Sequence, residues 1–186
     1  MNKTITLLFF ILFISLKSFS QKQFSAEILT GFGINKNLKL VNEDIEGYNI
    51  YLTQINVNYK FKLYKNIFAE TGLGSQWYFS SGKVAKSNFK TTSLKLNLPV
   101  IISHAILNKI NIGVGVAISN NKDFEDFDFR TSHNLRSSLI FKGSYAIKED
   151  FDLVLMFKHN LSDIPNLYLI NQPNSDLSIG ISYKLF

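Results

Sequence analysis

The chain has 186 residues, 46% of them apolar and 14% aromatic, with 20 basic and 14 acidic side chains and no cysteine. That length holds one domain. The lack of cysteine excludes a disulfide scaffold or a thiolate metal site, and the dispersed positive charge contains no basic run suited to nucleic acid.

Met1-Asn2-Lys3 leads into an apolar run from Ile5 to Ile14, and Ser18-Phe19-Ser20 supplies a small-x-small cleavage pattern. The run is too short to cross a bilayer as a helix. Residues 1–20 therefore read as a secretory signal peptide cut before Gln21, leaving a mature domain of 21–186. Loss of Lys3 and Lys17 lowers the formal charge from +6 to +4. No cysteine follows the signal, so no lipid anchor is expected.

Eight stretches then alternate apolar and polar residues with a period of two, which a helix would scramble. The first predicted strand, Phe24–Ile34, sets Ala26, Ile28, Thr30 and Phe32 on one face and Glu27, Leu29 and Gly31 on the other. The second, Tyr51–Leu63, is the cleanest: Ile55, Val57, Tyr59 and Phe61 alternate with Gln54, Asn56, Asn58, Lys60 and Lys62. The third, Ile67–Phe79, opposes Leu73 and Trp77 to Glu70, Gln76 and Tyr78. The fourth, Thr92–His104, loses its rhythm at Pro99-Val100-Ile101-Ile102. A proline cannot donate to the ladder, so a bulge or local irregularity is expected there. Ile110–Ser119, Leu135–Tyr145, Phe151–Lys158 and Leu177–Leu185 complete the set.

The connections sort by length. Asn35–Tyr48, Ser80–Lys90, Asn120–His133 and Ser162–Asn174 are long; Lys65-Asn66, Leu107-Asn108-Lys109 and Lys148-Glu149-Asp150 are short. An even strand number with long extracellular loops and short periplasmic turns describes an all-β, eight-stranded, antiparallel up-and-down transmembrane β-barrel. The apolar faces carry no charge, and aromatics gather at the strand ends (Tyr51, Trp77 and Phe79 at one rim; Phe24, Phe61, Tyr145, Phe151 and Tyr183 at the other), as two interfacial girdles require. The polar faces mix Gly, Ser and Asn with long charged side chains, as a narrow interior demands. The expected location is the outer membrane.

Several segments carry a family likeness: Leu94-Lys95-Leu96-Asn97-Leu98-Pro99-Val100-Ile101-Ile102, Ile112-Gly113-Val114-Gly115-Val116, Asn160-Leu161-Ser162-Asp163-Ile164, and Leu177 to Phe186. On these the chain resembles the PorT-like outer-membrane β-barrels common in the Bacteroidetes. Asn160 stands where that family usually has Gly, and the terminal Phe186 falls one position out of step with Tyr183 and Leu185. The resemblance implies an integral outer-membrane protein and little about activity.

The inward charges form the most informative polar set. Glu27 and Glu70 share a level with Lys60, Lys62, Lys142 and Asp152, which reads as an ion-pair plug, because buried charges must be paired. Counting back from Lys65-Asn66 sets Lys60 nearly opposite Glu70, the best expected pair. Nearer the other end Lys95, Arg136 and Lys158 face only Asp176, an imbalance that could hold an anion such as a lipopolysaccharide phosphate. Asp123-Phe124-Glu125-Asp126-Phe127-Asp128-Phe129, within loop 121–130, could bind Ca²⁺ or a partner, though it matches no EF-hand. His159 and Ser162 are three apart, which puts them on opposite faces of a strand, and His104 and His133 are isolated. No catalytic, cofactor-binding or metal residues are therefore assigned. The expected function is structural or interaction-based, through extracellular loops or an envelope protein. Its expected partners are outer-membrane lipid, lipopolysaccharide and the outer-membrane assembly machinery, with no nucleic acid. The alternatives are a lipid-modifying enzyme and a narrow solute or ion channel.

Overall fold

The computed structural model describes residues 22–35, 39–40, 43–44, 46–84, 87–124, 135–161 and 173–185. Ten strands appear: β1 (Lys22–Ile34), β2 (Lys39–Leu40), β3 (Glu43–Asp44), β4 (Glu46–Tyr64), β5 (Ile67–Val84), β6 (Ser87–Leu107), β7 (Ile110–Phe124), β8 (Leu135–Ala146), β9 (Phe151–Asn160) and β10 (Ser175–Lys184). Eight form a closed ring in the order β1-β10-β9-β8-β7-β6-β5-β4, while β2 and β3 pair only with each other. Every ring neighbour is antiparallel, and the first strand closes on the last through Ile28↔Ile181 and its flanking pairs.

The period-two pattern decides which way each side chain points. Ile28 is 63% exposed while its neighbour Leu29 is 0% exposed. Val57, Leu73, Val114, Leu155 and Ile181 are likewise exposed on the outside, and Asn56, Gln76, Lys142 and Ser182 are buried within. All eight predicted face assignments hold. A soluble protein does not expose so continuous an apolar surface, whereas a barrel in lipid must.

One expectation is sharpened and another corrected. At Pro99 the expected irregularity is present as an interrupted ladder, and it is not a bulge. Thr71↔Val100 and Gly74↔Asn97 keep one register across it, and Pro99 pairs with Ala117 on the other side. The missing N–H leaves a gap in the β5–β6 ladder without shifting it, and Thr71 Oγ1 donates 3.0 Å to the Pro99 carbonyl instead. The register shifts lie at strand ends, between Glu46 and Asn49, between Lys62 and Tyr64, and between Ala105 and Leu107. The correction concerns loop length. Ser80–Lys90 is not a long loop: β5 runs to Val84 and β6 starts at Ser87, leaving only positions 85 and 86 between them. One side of the ring is therefore tall, with 19, 18, 21 and 15 residues in β4 to β7, against 12, 10 and 10 in β8 to β10.

The interior is packed. Leu29, Ile101, Ala117, Ile140, Val154 and Met156 form a buried apolar cluster. Pro99-Val100-Ile101-Ile102 hides this cluster in the sequence, because Ile101 faces in while Val100 and Ile102 face out. A second cluster, Ile50, Leu52 and Tyr78 with Tyr48 against it, fills the tall end.

Candidate functional site in the lumen

The site grows from the polar face of β4. Gln54 and Asn56 alternate inward and meet charges from across the barrel. Lys142 of β8 bridges both lower carboxylates, at 2.5 Å to Glu27 Oε1 and in close contact with Glu70 Oε1. Asn56 Nδ2 donates 3.1 Å to the other Glu27 oxygen, and Gln54 Nε2 donates 2.6 Å to Asn56 Oδ1. Lys158 donates to Gln54 Oε1 at 2.7 Å and Gln76 Oε1 at 3.1 Å. Gln76 Nε2 and the Tyr78 hydroxyl then donate to Asp176 Oδ2, at 3.3 and 3.0 Å. The result is one hydrogen-bonded chain from Glu70 up to Tyr78.

The plug predicted from the sequence therefore exists, but its best pair was misassigned. Lys60 and Glu70 are register partners, yet Glu70 spends its carboxylate on Lys142, and Lys60 Nζ lies 4.7 Å above the Phe68 ring. Asp152 pairs with Lys184 at 3.0 Å instead of joining the knot. In the upper half Lys95, Arg136, Lys158 and Asp176 are all buried together, as expected. Lys95 is held by Asn160 Oδ1 at 3.0 Å, which also accepts from Ser138 Oγ at 2.7 Å. Above them, burial pushes the Tyr48 hydroxyl above its ordinary pKa, against the lowering effect of hydrogen bonds with Ser80 and Asn35.

A void of about 350 Å³ opens at the short-turn mouth, lined by Lys60, Phe68, Asn111 and Lys184 among others. Deeper voids measure about 20, 10 and 10 Å³. Each holds on the order of one water.

The remaining candidates separate. His159 Nδ1 lies 2.8 Å from the hydroxyl of Ser175, its register partner, on the outer surface. Ser162 lies outside the described residues. Every carboxylate whose side chain is described is in the lumen or near the short turns, so none orients His159. His104 is exposed on β6, and His133 is outside the described residues. Asp123 and Phe124 end β7, and the rest of the acidic loop lies outside the description. Among the described residues no group of three His, Cys, Asp or Glu could hold a metal. Sequence reasoning missed the relay of Gln54, Asn56, Gln76 and Tyr78. Its only trace was their inward parity.

No protein-family model matches the chain, and no curated protein matches it. Solved structures similar in shape include a de novo designed transmembrane β-barrel, 11% identical with a TM-score of 0.47 over 88% of this chain and 95% of that one. Another is Ail, the attachment invasion locus protein of Yersinia pestis, in complex with the heparin analogue sucrose octasulfate; it is 8% identical with a TM-score of 0.46 over 88% of this chain and 97% of that one. The translocator domain of the autotransporter NalP from Neisseria meningitidis is 7% identical, with a TM-score of 0.37 over 93% and 92%. Values this low carry no functional argument. The ring closure, the strand number and the apolar exterior do: an open edge or an unpaired backbone is not tolerated in lipid, and only closure removes both. This is a small outer-membrane β-barrel protein.

Proposed function

We propose that the protein is a closed, non-catalytic envelope barrel of the PorT-like kind, exported by the signal at residues 1–20, which anchors an interaction surface outside the membrane. The observation that carries this reading is the height of one side. A strand needs about 9–11 residues to cross a bilayer, whereas β4, β5 and β6 have 19, 18 and 21. Strand pairing that continues past the lipid offers a rigid surface to an envelope partner. The hydrogen-bonded lumen supports an anchor over a channel.

The test places a photo-crosslinking residue at Asn88, near the tip of the β5–β6 hairpin, in living cells. A discrete protein adduct is expected there and not from a crosslinker at Lys65 at the other end. Step conductance in planar bilayers, with no protein adduct, would replace this reading with a channel. The alternative of a lipid-modifying enzyme draws on the His159–Ser175 pair. Loss of lipid deacylation in a folded Ser175→Ala variant would favour it.

A further inference from the structure

The outer face of the tall side changes character with height. Inside the hairpin the Tyr48 and Phe89 rings lie 6.4 Å apart, and Ile50, Leu52 and Tyr78 are buried. Alternation then fixes the opposite set outward. Leu96 and Leu98 are exposed in the apolar band. Above them Tyr51, Phe79 and Trp77 stand on adjacent strands, through Tyr51↔Phe79 and Trp77↔Leu94. Such a group marks where hydrocarbon gives way to headgroups. Lys90 pairs with Ser81, two residues beyond Phe79, and Lys83 is four beyond it; both side chains are exposed. At about 3.3 Å per residue and a tilt near 40°, the two lysines lie about 5 and 10 Å above the aromatic group.

Lys83 pairs with Asn88, so Lys90 is its diagonal neighbour on the same face. At that spacing two ammonium groups can meet the phosphates of one lipid. The one acid in register is Glu46, opposite Lys83. Among the described side chains on the short side, the outward residues at the rim are Ile34, Leu135, Ser137, His159, Leu161 and Ser175, with no lysine or arginine. Among the described side chains, this sector runs from apolar to aromatic to cationic with height.

We propose that this sector binds a phosphorylated glycolipid of the outer leaflet, with acyl chains along Leu96 and Leu98, the sugar against the aromatic group, and phosphate on Lys90 and Lys83. The proposal rests on the reading of the tall side as extracellular and deepens it by naming a lipid partner.

Trp77 is the single tryptophan of the chain and lies directly below the two lysines, so its fluorescence reports the nearest acyl chains. The full barrel is reconstituted in phosphatidylcholine nanodiscs containing a minor fraction of brominated lipid. Brominated lipid A carrying both phosphates is expected to quench Trp77 several-fold more than brominated phosphatidylcholine at the same fraction. The excess should vanish with dephosphorylated lipid A, in molar salt, which screens exposed charges, and in K83S/K90S. Glu46→Gln should increase it. Heat-modifiable gel mobility confirms that each variant is folded. Equal quenching by phosphorylated and dephosphorylated lipid A, or an excess that survives K83S/K90S, overturns the site. If brominated phosphatidylcholine itself fails to quench Trp77, the embedded orientation of this face is wrong, which is a separate failure.

Discussion

The two halves of the lumen bury charge by different means. In the lower half one ammonium, Lys142, sits between two carboxylates, Glu27 and Glu70. In the upper half the ammonium groups of Lys158 and Lys95 rest on the amide oxygens of Gln54, Gln76 and Asn160. Asp176 there accepts from an amide and a phenol, not from a cation. Opposite charge is thus one way to satisfy a buried ion, and aligned amides are another. The difference should appear in how each half answers the loss of one member.

The largest effect is expected at Lys142. Lys142→Met leaves two buried carboxylates facing each other, a loss of about 3–5 kcal/mol. It should appear as a lower temperature for the shift in heat-modifiable gel mobility. Adding Glu27→Gln and Glu70→Gln should recover much of it. A Lys142→Met barrel as stable as wild type would end the distinction between the halves.

Lys158→Met should cost less, about 1–3 kcal/mol, because it orphans the neutral Gln54 amide oxygen while Gln76 Oε1 still accepts from Asn97. Urea-induced unfolding from lipid vesicles would rank the two variants, and a loss equal to that of Lys142→Met would contradict the amide account. Tyr78→Phe removes one donor from Asp176 while Gln76 remains, and about 1.5 kcal/mol is expected by the same unfolding assay. A double-mutant cycle sharpens the lower half further. Glu70→Gln should couple strongly with Lys142→Met and only weakly with Lys60→Met, although Lys60 is its register partner. The smallest effect calibrates the scale outside both halves. Lys65 has a φ of 40°, in the left-handed region that a side chain resists. Lys65→Gly should gain up to about 1 kcal/mol, read in the same assay.

Much of this architecture was legible in the residues. Val57 and Asn56 differ by one position and point to opposite media, because a strand offers only two directions. The strand ends were less legible. Ser80-Ser81-Gly82-Lys83 is polar on both faces, as a loop is, yet above the lipid a strand needs no apolar face to stay paired. The partner of Glu70 was hidden for another reason. Sequence shows neighbours along a strand and across a short turn, whereas Lys142 reaches Glu70 through the middle of the ring, from a strand 72 residues away. That contact depends on the curvature and stagger of the closed sheet, which no local pattern encodes. The amide relay was obscured similarly: Gln54, Asn56 and Gln76 look like filler until their partners are in place.

Closure of the ring between β1 and β10 has a consequence for biogenesis. Ile28 meets Ile181, so the contact that completes the barrel is among the last the chain can make, and loop-closure entropy makes such distant pairing slow. Until the final strand is available, both seam edges present unpaired backbone, and alternating apolar residues with them. Until that pairing forms, the polypeptide is an incomplete sheet or an open chain. A truncation of even a few residues at the C-terminal end would leave an adhesive precursor, not a smaller barrel.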